Sequence, residues 1–320
     1  MVLLHTTANA QKADTLVKKL DSLNKKADSA GFQNNNIKPE AYNKRTQITT
    51  SSYFILLWSD YKQQFTAPFH TTGRGWKKAG TFAALTGALA FADKPIQKQA
   101  LKIKNSSNTA SNLSTFITNT GGIYEMGTLG AIGAYGFIFN NEKMQTTTLL
   151  ASQAYLTSAG VSYVAKFLSG RQRPSVYSET QVTANPTFKG PFADLGKDKN
   201  GKSLNSSFPS GHTTVAFAAA TVYAMEYRNK PWVPILSYSA ASLIGLSRLT
   251  ENKHWATDVL VGAALGHLCG RQVVNNYHRY QKIKAAPQQP AKNNFKKKRI
   301  SYGMNYLDGH LIGSLRISPN

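Results

Sequence analysis

Three short patterns in this chain place cationic and ionisable residues where they could act on one anion: Lys166 with Arg173-Pro174, Pro209-Ser210-Gly211-His212, and Ser247-Arg248 followed by His254 and Asp258. Lys166 and Arg173 stand seven residues apart, about two helical turns, so both can project from one face toward a single negative group. Pro174 predicts the end of that helix, because the residue before a proline is disfavoured in the α region. Gly211 and His212 precede an apolar run from Thr213. The Ser-Gly-His turn therefore predicts a helix start whose free N–H groups and positive dipole end can cradle phosphate oxygens, with glycine allowing close backbone approach. His254 and Asp258 are four apart. On a helix that spacing sets the carboxylate one turn from the imidazole, able to accept its N–H and fix its tautomer.

Each fragment alone has a plainer explanation. A Lys/Arg pair at helical spacing is usually a solvated face, Ser210 could be an ordinary N-cap, and a His/Asp pair is most often structural. Together they supply three cations, two histidines and a carboxylate for one anion, and they match the signature K-x6-RP, PSGH, SR-x5-H-x3-D at every defined position. On these residues the chain resembles the PAP2 (type 2 phosphatidic acid phosphatase) superfamily, which includes the vanadate-dependent haloperoxidases, over residues 75–280.

The resemblance implies an acid phosphatase that cleaves phosphate monoesters or diphosphates. His254 would attack phosphorus to give a phosphohistidine, held by Asp258. His212 would protonate the leaving oxygen and then activate water. Lys166, Arg173, Arg248, Ser210 and Gly211 would bind the non-bridging oxygens. No metal and no cofactor is implied, since three fixed cations supply the charge that a metal supplies elsewhere, and the sequence carries no HExxH, no P-loop and no Asp/Glu/His cluster with ligand spacing. The favoured substrate is a phosphorylated lipid of the phosphatidic acid, undecaprenyl diphosphate or lipid A type. The alternatives are a soluble exported acid phosphatase acting on small phosphoesters and, less favoured, a haloperoxidase.

Composition fits an anionic partner. The chain has 320 residues and 38 Lys+Arg against 15 Asp+Glu, a formal charge of +23. Much of that charge sits in Lys18-Lys19, Lys25-Lys26 and Lys296-Lys297-Lys298-Arg299, without interleaved aromatics along one face. This favours a membrane surface, or simply solvated tails, over nucleic acid. The single cysteine, Cys269, excludes an internal disulfide and a Cys-based zinc site. Met1-Val2-Leu3-Leu4 followed by Ala8-Asn9-Ala10 resembles the tail of a secretory signal whose apolar stretch is too short. With the family resemblance it leads to an expected place in a bacterial cell envelope, membrane-associated or periplasmic.

The elements that must position the site are helices. Uncharged small-residue segments recur at 80–92, 126–141, 144–165, 213–225, 231–247 and 259–270, which predicts an all-α bundle with about six core helices. Most are shorter than the ~20 apolar residues that span a bilayer, and mean hydropathy is −0.33, so core helices and short tilted spans both remain open. The expected division is a polar N-terminal extension over 1–74, a phosphatase domain over 75–280, and a basic linker and tail over 281–320. A long loop from Pro174 to Pro209 is expected to be functional, with Tyr177, Phe188, Phe192 and Phe208 either shaping an entrance or simply packing. Loose alternation over 300–318 predicts a terminal strand or hairpin.

Overall fold

Three of the helices begin on the same device, a side-chain oxygen that accepts the N–H of the residue three further on: Thr49 before α1 (Thr50–Thr66), Thr72 before α2 (Gly73–Ala90) and Asn141 before α6 (Glu142–Ser169). Each satisfies one of the donors that a helix start leaves without an intrahelical partner. Between them lie α3 (Asp93–Lys104), α4 (Asn108–Thr120) and α5 (Ile123–Ile138), and after them α7 (Gly211–Glu226), α8 (Trp232–Thr250) and α9 (Ala256–Ala285). The computed structural model describes residues 48–120, 123–193, 204–285, 299–307 and 310–318. Its helical body is the expected all-α bundle, with nine α-helices among the described residues. The extension up to residue 47, including Lys18-Lys19 and Lys25-Lys26, lies outside them, as do Lys296 to Lys298.

The long helix α6 is central, packed against α1, α5 and α7, while α8 packs against α3, α4 and α7. Helix α1 lies within the stretch expected as a polar extension, yet it is tied into the bundle. Tyr53 hydrogen-bonds Ser152 at 2.9 Å, Gln153 donates to the Tyr53 carbonyl at 2.8 Å, and Tyr61 donates to the Leu156 carbonyl at 2.8 Å. Apart from Leu56 its buried face is polar, which conceals it from a search for apolar periodicity. The converse holds for Gly80 to Ala92, expected as either a core helix or a short tilted span. It falls mostly in α2, of which Thr86 alone is buried.

Helix α9 reaches α7 along a stripe of glycines four apart, Gly262, Gly266 and Gly270. A Cβ on Gly266 would sit 2.2 Å from the Thr214 carbonyl oxygen, and one on Gly270 would sit 2.4 Å from that of Ala218. The two backbones therefore touch, which brings the start of α9, with Asp258 in its first turn and His254 just before it, toward the start of α7, where His212 lies. Gly266→Ala is expected to destabilise the fold by about 3 kcal/mol, because rigid backbone cannot yield. Gly80→Ala on α2, where the added methyl meets nothing, should be neutral or stabilising by up to about 1 kcal/mol. Thermal melts of the two variants in detergent measure the contrast.

The described residues divide into two units, one ending at Lys282 and the other beginning at Ile283. The second contains β1 (Arg299–Leu307) and β2 (His310–Ser318), paired antiparallel from Arg299↔Ser318 to Leu307↔His310, the hairpin that the alternation over 300–318 predicts.

Candidate active site

Lys166 lies in the last turn of α6, but that helix stops at Ser169, short of Pro174. The cause is Gly170, which takes the left-handed conformation at φ 51° and donates its N–H to the Lys166 carbonyl. A Cβ there would lie 2.3 Å from the Gly190 carbonyl oxygen, so glycine is required twice over. Arg173 is therefore not two turns along the same helix. It reaches the site from the segment beyond, and the convergence with Lys166 is made by Ser206. Lys166 Nζ donates to the carbonyls of Ser206 at 2.9 Å and Pro209 at 2.6 Å, and Arg173 Nε donates to the Ser206 hydroxyl at 3.2 Å. Arg248 comes from the end of α8 and is buried.

The Pro209-Ser210-Gly211-His212 turn opens α7 as expected, with Ser210 at the N-cap position. Its hydroxyl does not cap the helix but accepts the Thr213 hydroxyl at 2.8 Å. The Ser210 N–H donates to the Asp258 carbonyl at 3.0 Å, which ties the second motif to the third.

His254 and Asp258 do not share a helix. His254 precedes α9, and Asp258 sits in its first turn, where it accepts the Trp255 N–H at 2.8 Å as a capping carboxylate does. The expected direct bond between them is replaced. Asp258 Oδ2 is 3.7 Å from His254 Nδ1, whereas the Ser207 carbonyl is 2.7 Å from that nitrogen. A carbonyl can only accept, so Nδ1 carries the proton and Nε2 keeps its lone pair. The Ser207 hydroxyl donates to Asp258 Oδ2 at 2.5 Å, so the carboxylate acts on the imidazole through Ser207. Sequence reasoning missed Ser206 and Ser207. The doublet directly upstream of Phe208-Pro209 was the available signal.

These groups form one electrostatic cluster. Burial first, then Arg173 and Arg248, push the Lys166 ammonium down to about 7, against the pull of Asp258. Burial, Arg248, Lys166 and Arg173 lower the His212 imidazole to about 3. His254 is held well below its ordinary value, by burial and then by Arg173, Lys166 and Arg248. Arg248 falls to about 10 through burial and Arg173. Three desolvated cations that penalise one another present a field that an entering anion relieves. Among the described residues, no group of three His, Cys, Asp or Glu is placed to hold a metal ion.

The model of the PAP2 superfamily matches residues 147–282, a segment that contains all the motif residues above. A lipid A 1-phosphatase of Porphyromonas gingivalis is 52% identical over 66 residues, which are 20% of this chain and 15% of that protein. Lipid phosphate phosphatase 1 of Arabidopsis thaliana is 31% identical over 144 residues, 39% of this chain and 44% of the plant protein. The match thus spans less than half the length of either relative. Among solved structures, the first transmembrane PAP2 type phosphatidylglycerolphosphate phosphatase from Bacillus subtilis is 23% identical, with a TM-score of 0.42 over 71% of this chain and 95% of that one. Over residues 147–282, which carry every motif residue of the site, this chain is similar to the PAP2 superfamily.

Proposed function

We propose that the protein is a phosphatase that hydrolyses lipid phosphate monoesters or diphosphates through a phosphohistidine on His254. The observation that carries this reading is the tautomer of His254. The Ser207 carbonyl holds the proton on Nδ1, which leaves an unprotonated Nε2 in the field of Lys166, Arg173 and Arg248.

Nε2 attacks phosphorus in line with the leaving oxygen. As the N–P bond forms and the P–O bond breaks, His212 passes a proton to that oxygen. Water then attacks the phosphohistidine, His212 takes its proton, and the N–P electrons return to Nε2 as phosphate departs. The three cations, with the Gly211 amide and Ser210, bind the non-bridging oxygens and supply the charge compensation for phosphoryl transfer. His212 must be protonated for the first step. Burial and then the cations depress it; an anionic phosphoryl group offsets the part due to the cations, so substrate entry raises its basicity at the moment its proton is needed.

Two observations support a lipid substrate at a membrane. The relatives named above are lipid phosphatases. The bundle also turns many large apolar side chains outward while Thr147, Gln153, Thr157 and Thr213 are buried in it. Phe69, Phe91, Ile138 and Leu236 are among the exposed ones. Helix α2 adds Arg74, Trp76, Lys77 and Lys78 at its start, ahead of an uncharged stretch from Ala79 to Ala92. That order suits an anionic lipid surface, with cations and tryptophan at headgroup level and apolar residues below. No helix among the described residues is long and apolar enough to cross a membrane. The proposed setting is a bacterial cell envelope.

Release of inorganic phosphate in EDTA tests the reading, with phosphatidic acid and undecaprenyl diphosphate in detergent compared with p-nitrophenyl phosphate. Vanadate-sensitive turnover that prefers the lipids is expected. Preference for the small ester would move the assignment to a soluble acid phosphatase, and no turnover on any ester would remove it.

A further inference from the structure

Behind His254 stands a second carboxylate, from outside the segment that the family match covers. Asp93, the first residue of α3, is 0% exposed. Its Oδ2 accepts Arg171 Nη2 at 2.6 Å and the Thr257 hydroxyl at 2.7 Å, and its Oδ1 accepts the Thr257 N–H at 3.0 Å. Arg171, 1% exposed, uses Nη1 to reach Asp258 Oδ1 at 2.5 Å and Thr257 Oγ1 at 2.6 Å. Phe188, Phe208 and Trp255 surround the guanidinium with ring centroids at 4.7, 5.9 and 6.0 Å. Phe188 and Phe208, expected either to shape an entrance or simply to pack, thus wall an ion pair.

Arg171 also acts through its backbone, since its carbonyl accepts the Ser207 N–H at 3.0 Å. One residue therefore fixes both groups that stand behind the His254 ring: Ser207, which holds Nδ1, and Asp258, which holds Ser207. A lone guanidinium facing one carboxylate could pivot about that contact. With Asp93 on its second terminal nitrogen, and Thr257 bridging the two, the fork has one orientation. The buried array Asp93, Arg171, Asp258 also keeps a net negative charge, while the imidazole ring becomes positive as Nε2 bonds phosphorus.

We infer that Asp93, acting through Arg171, is a positioning residue for His254: it locks the Arg171 fork that holds Asp258 and Ser207 behind the imidazole. The inference rests on the proposed phosphohistidine chemistry. A buried ion pair serving only the fold would affect stability, and any loss of activity would follow the amount of folded protein.

Asp93→Asn keeps the size of the side chain and removes its charge. Steady-state kinetics on the best lipid ester are expected to show kcat reduced on the order of thirtyfold, with KM and the inhibition constant of inorganic phosphate within about twofold. Asp93 has no hydrogen bond to Lys166, Arg173 or Arg248, which would set those two constants. On an Asp258→Asn background the same change should cost less than about twofold, because both act through one path. An undiminished kcat, a proportional rise in the phosphate inhibition constant, or an equal cost on both backgrounds would overturn the inference. Should D93N fail to fold by circular dichroism, Thr257→Val takes its place. It removes the hydroxyl bridge and keeps both charges, with an expected kcat loss of about fivefold at constant KM, and an unchanged kcat there is equally fatal. Wild-type protein inactive on every ester would instead remove the phosphatase reading itself, and the role of Asp93 with it.

Discussion

Replacing His254 with alanine is expected to lower phosphate release by roughly ten-thousandfold or more, the scale seen when a covalent nucleophile is deleted, while the protein remains folded. The stability cost is real but limited. His254 is buried, and its loss leaves the Ser207 carbonyl without a donor, a penalty of about 2 kcal/mol against the usual margin of about 5–15 kcal/mol. His254→Asn separates the two effects, because its amide N–H₂ can still serve that carbonyl while offering no nucleophile. Both variants should be equally inactive, with the asparagine the more stable. Rapid acid-free quenching of wild type with a ³²P-labelled lipid phosphate should trap an acid-labile, base-stable phosphoprotein that neither variant forms. Normal turnover in either variant would sink the nucleophile assignment.

The asymmetry of the site explains why some of it could be read from the chain and some could not. The motif residues are distinctive in type, and their charges interact across the ends of α6, α7, α8 and α9. The start of α7 at Gly211 was legible because a Ser-Gly-His turn before an apolar run has one local meaning. The connections among the motifs were not. Helical spacing between Lys166 and Arg173 suggested one face of one helix, yet Gly170 ends α6 first, and Ser206 joins the two cations. The i,i+4 pair His254 and Asp258 suggested a direct bond, yet the chain enters α9 between them and Ser207 carries the contact. Serines are poor sequence signals because their usual place is a surface or a cap.

The errors in the fold have a common physical source. Apolar periodicity marks a helix as packed on the core only where its buried face is apolar and its exposed face polar. Here α1 presents Ser52, Ser59, Asp60 and Gln63 to the interior, and α2 leaves Trp76, Phe82 and Leu85 exposed. In these two helices the burial of polar residues and the exposure of apolar ones reverse the pattern of an amphipathic helix packed on an apolar core. Asp93 was invisible for a different reason. It follows an apolar run, as a capping acid would, and only the fold brings it to Arg171, 78 residues further on.

The cation cluster leads to the second large effect, a steep loss of oxyanion affinity above neutral pH. Lys166 is held to about 7, so in the free protein it loses its proton as pH rises through that value. A bound dianion favours the charged ammonium and raises its basicity, so binding above pH 7 takes up a proton. The dissociation constant should then climb about tenfold per pH unit, roughly a hundredfold between about pH 7 and pH 9. Tungstate is the suitable probe, since it stays a dianion over this range whereas phosphate titrates within it. The neighbouring groups do not share the window: His212 lies near 3, His254 lies well below its ordinary value, and Arg248 titrates only near 10. Lys166→Arg keeps a cation that does not titrate there and should flatten the profile, although the guanidinium cannot reproduce both carbonyl contacts of the ammonium and affinity at pH 7 should fall severalfold. A wild-type profile that stays flat through pH 9 would mean that Lys166 is charged throughout, and that the two carbonyls beneath it offset the repulsion from Arg173 and Arg248.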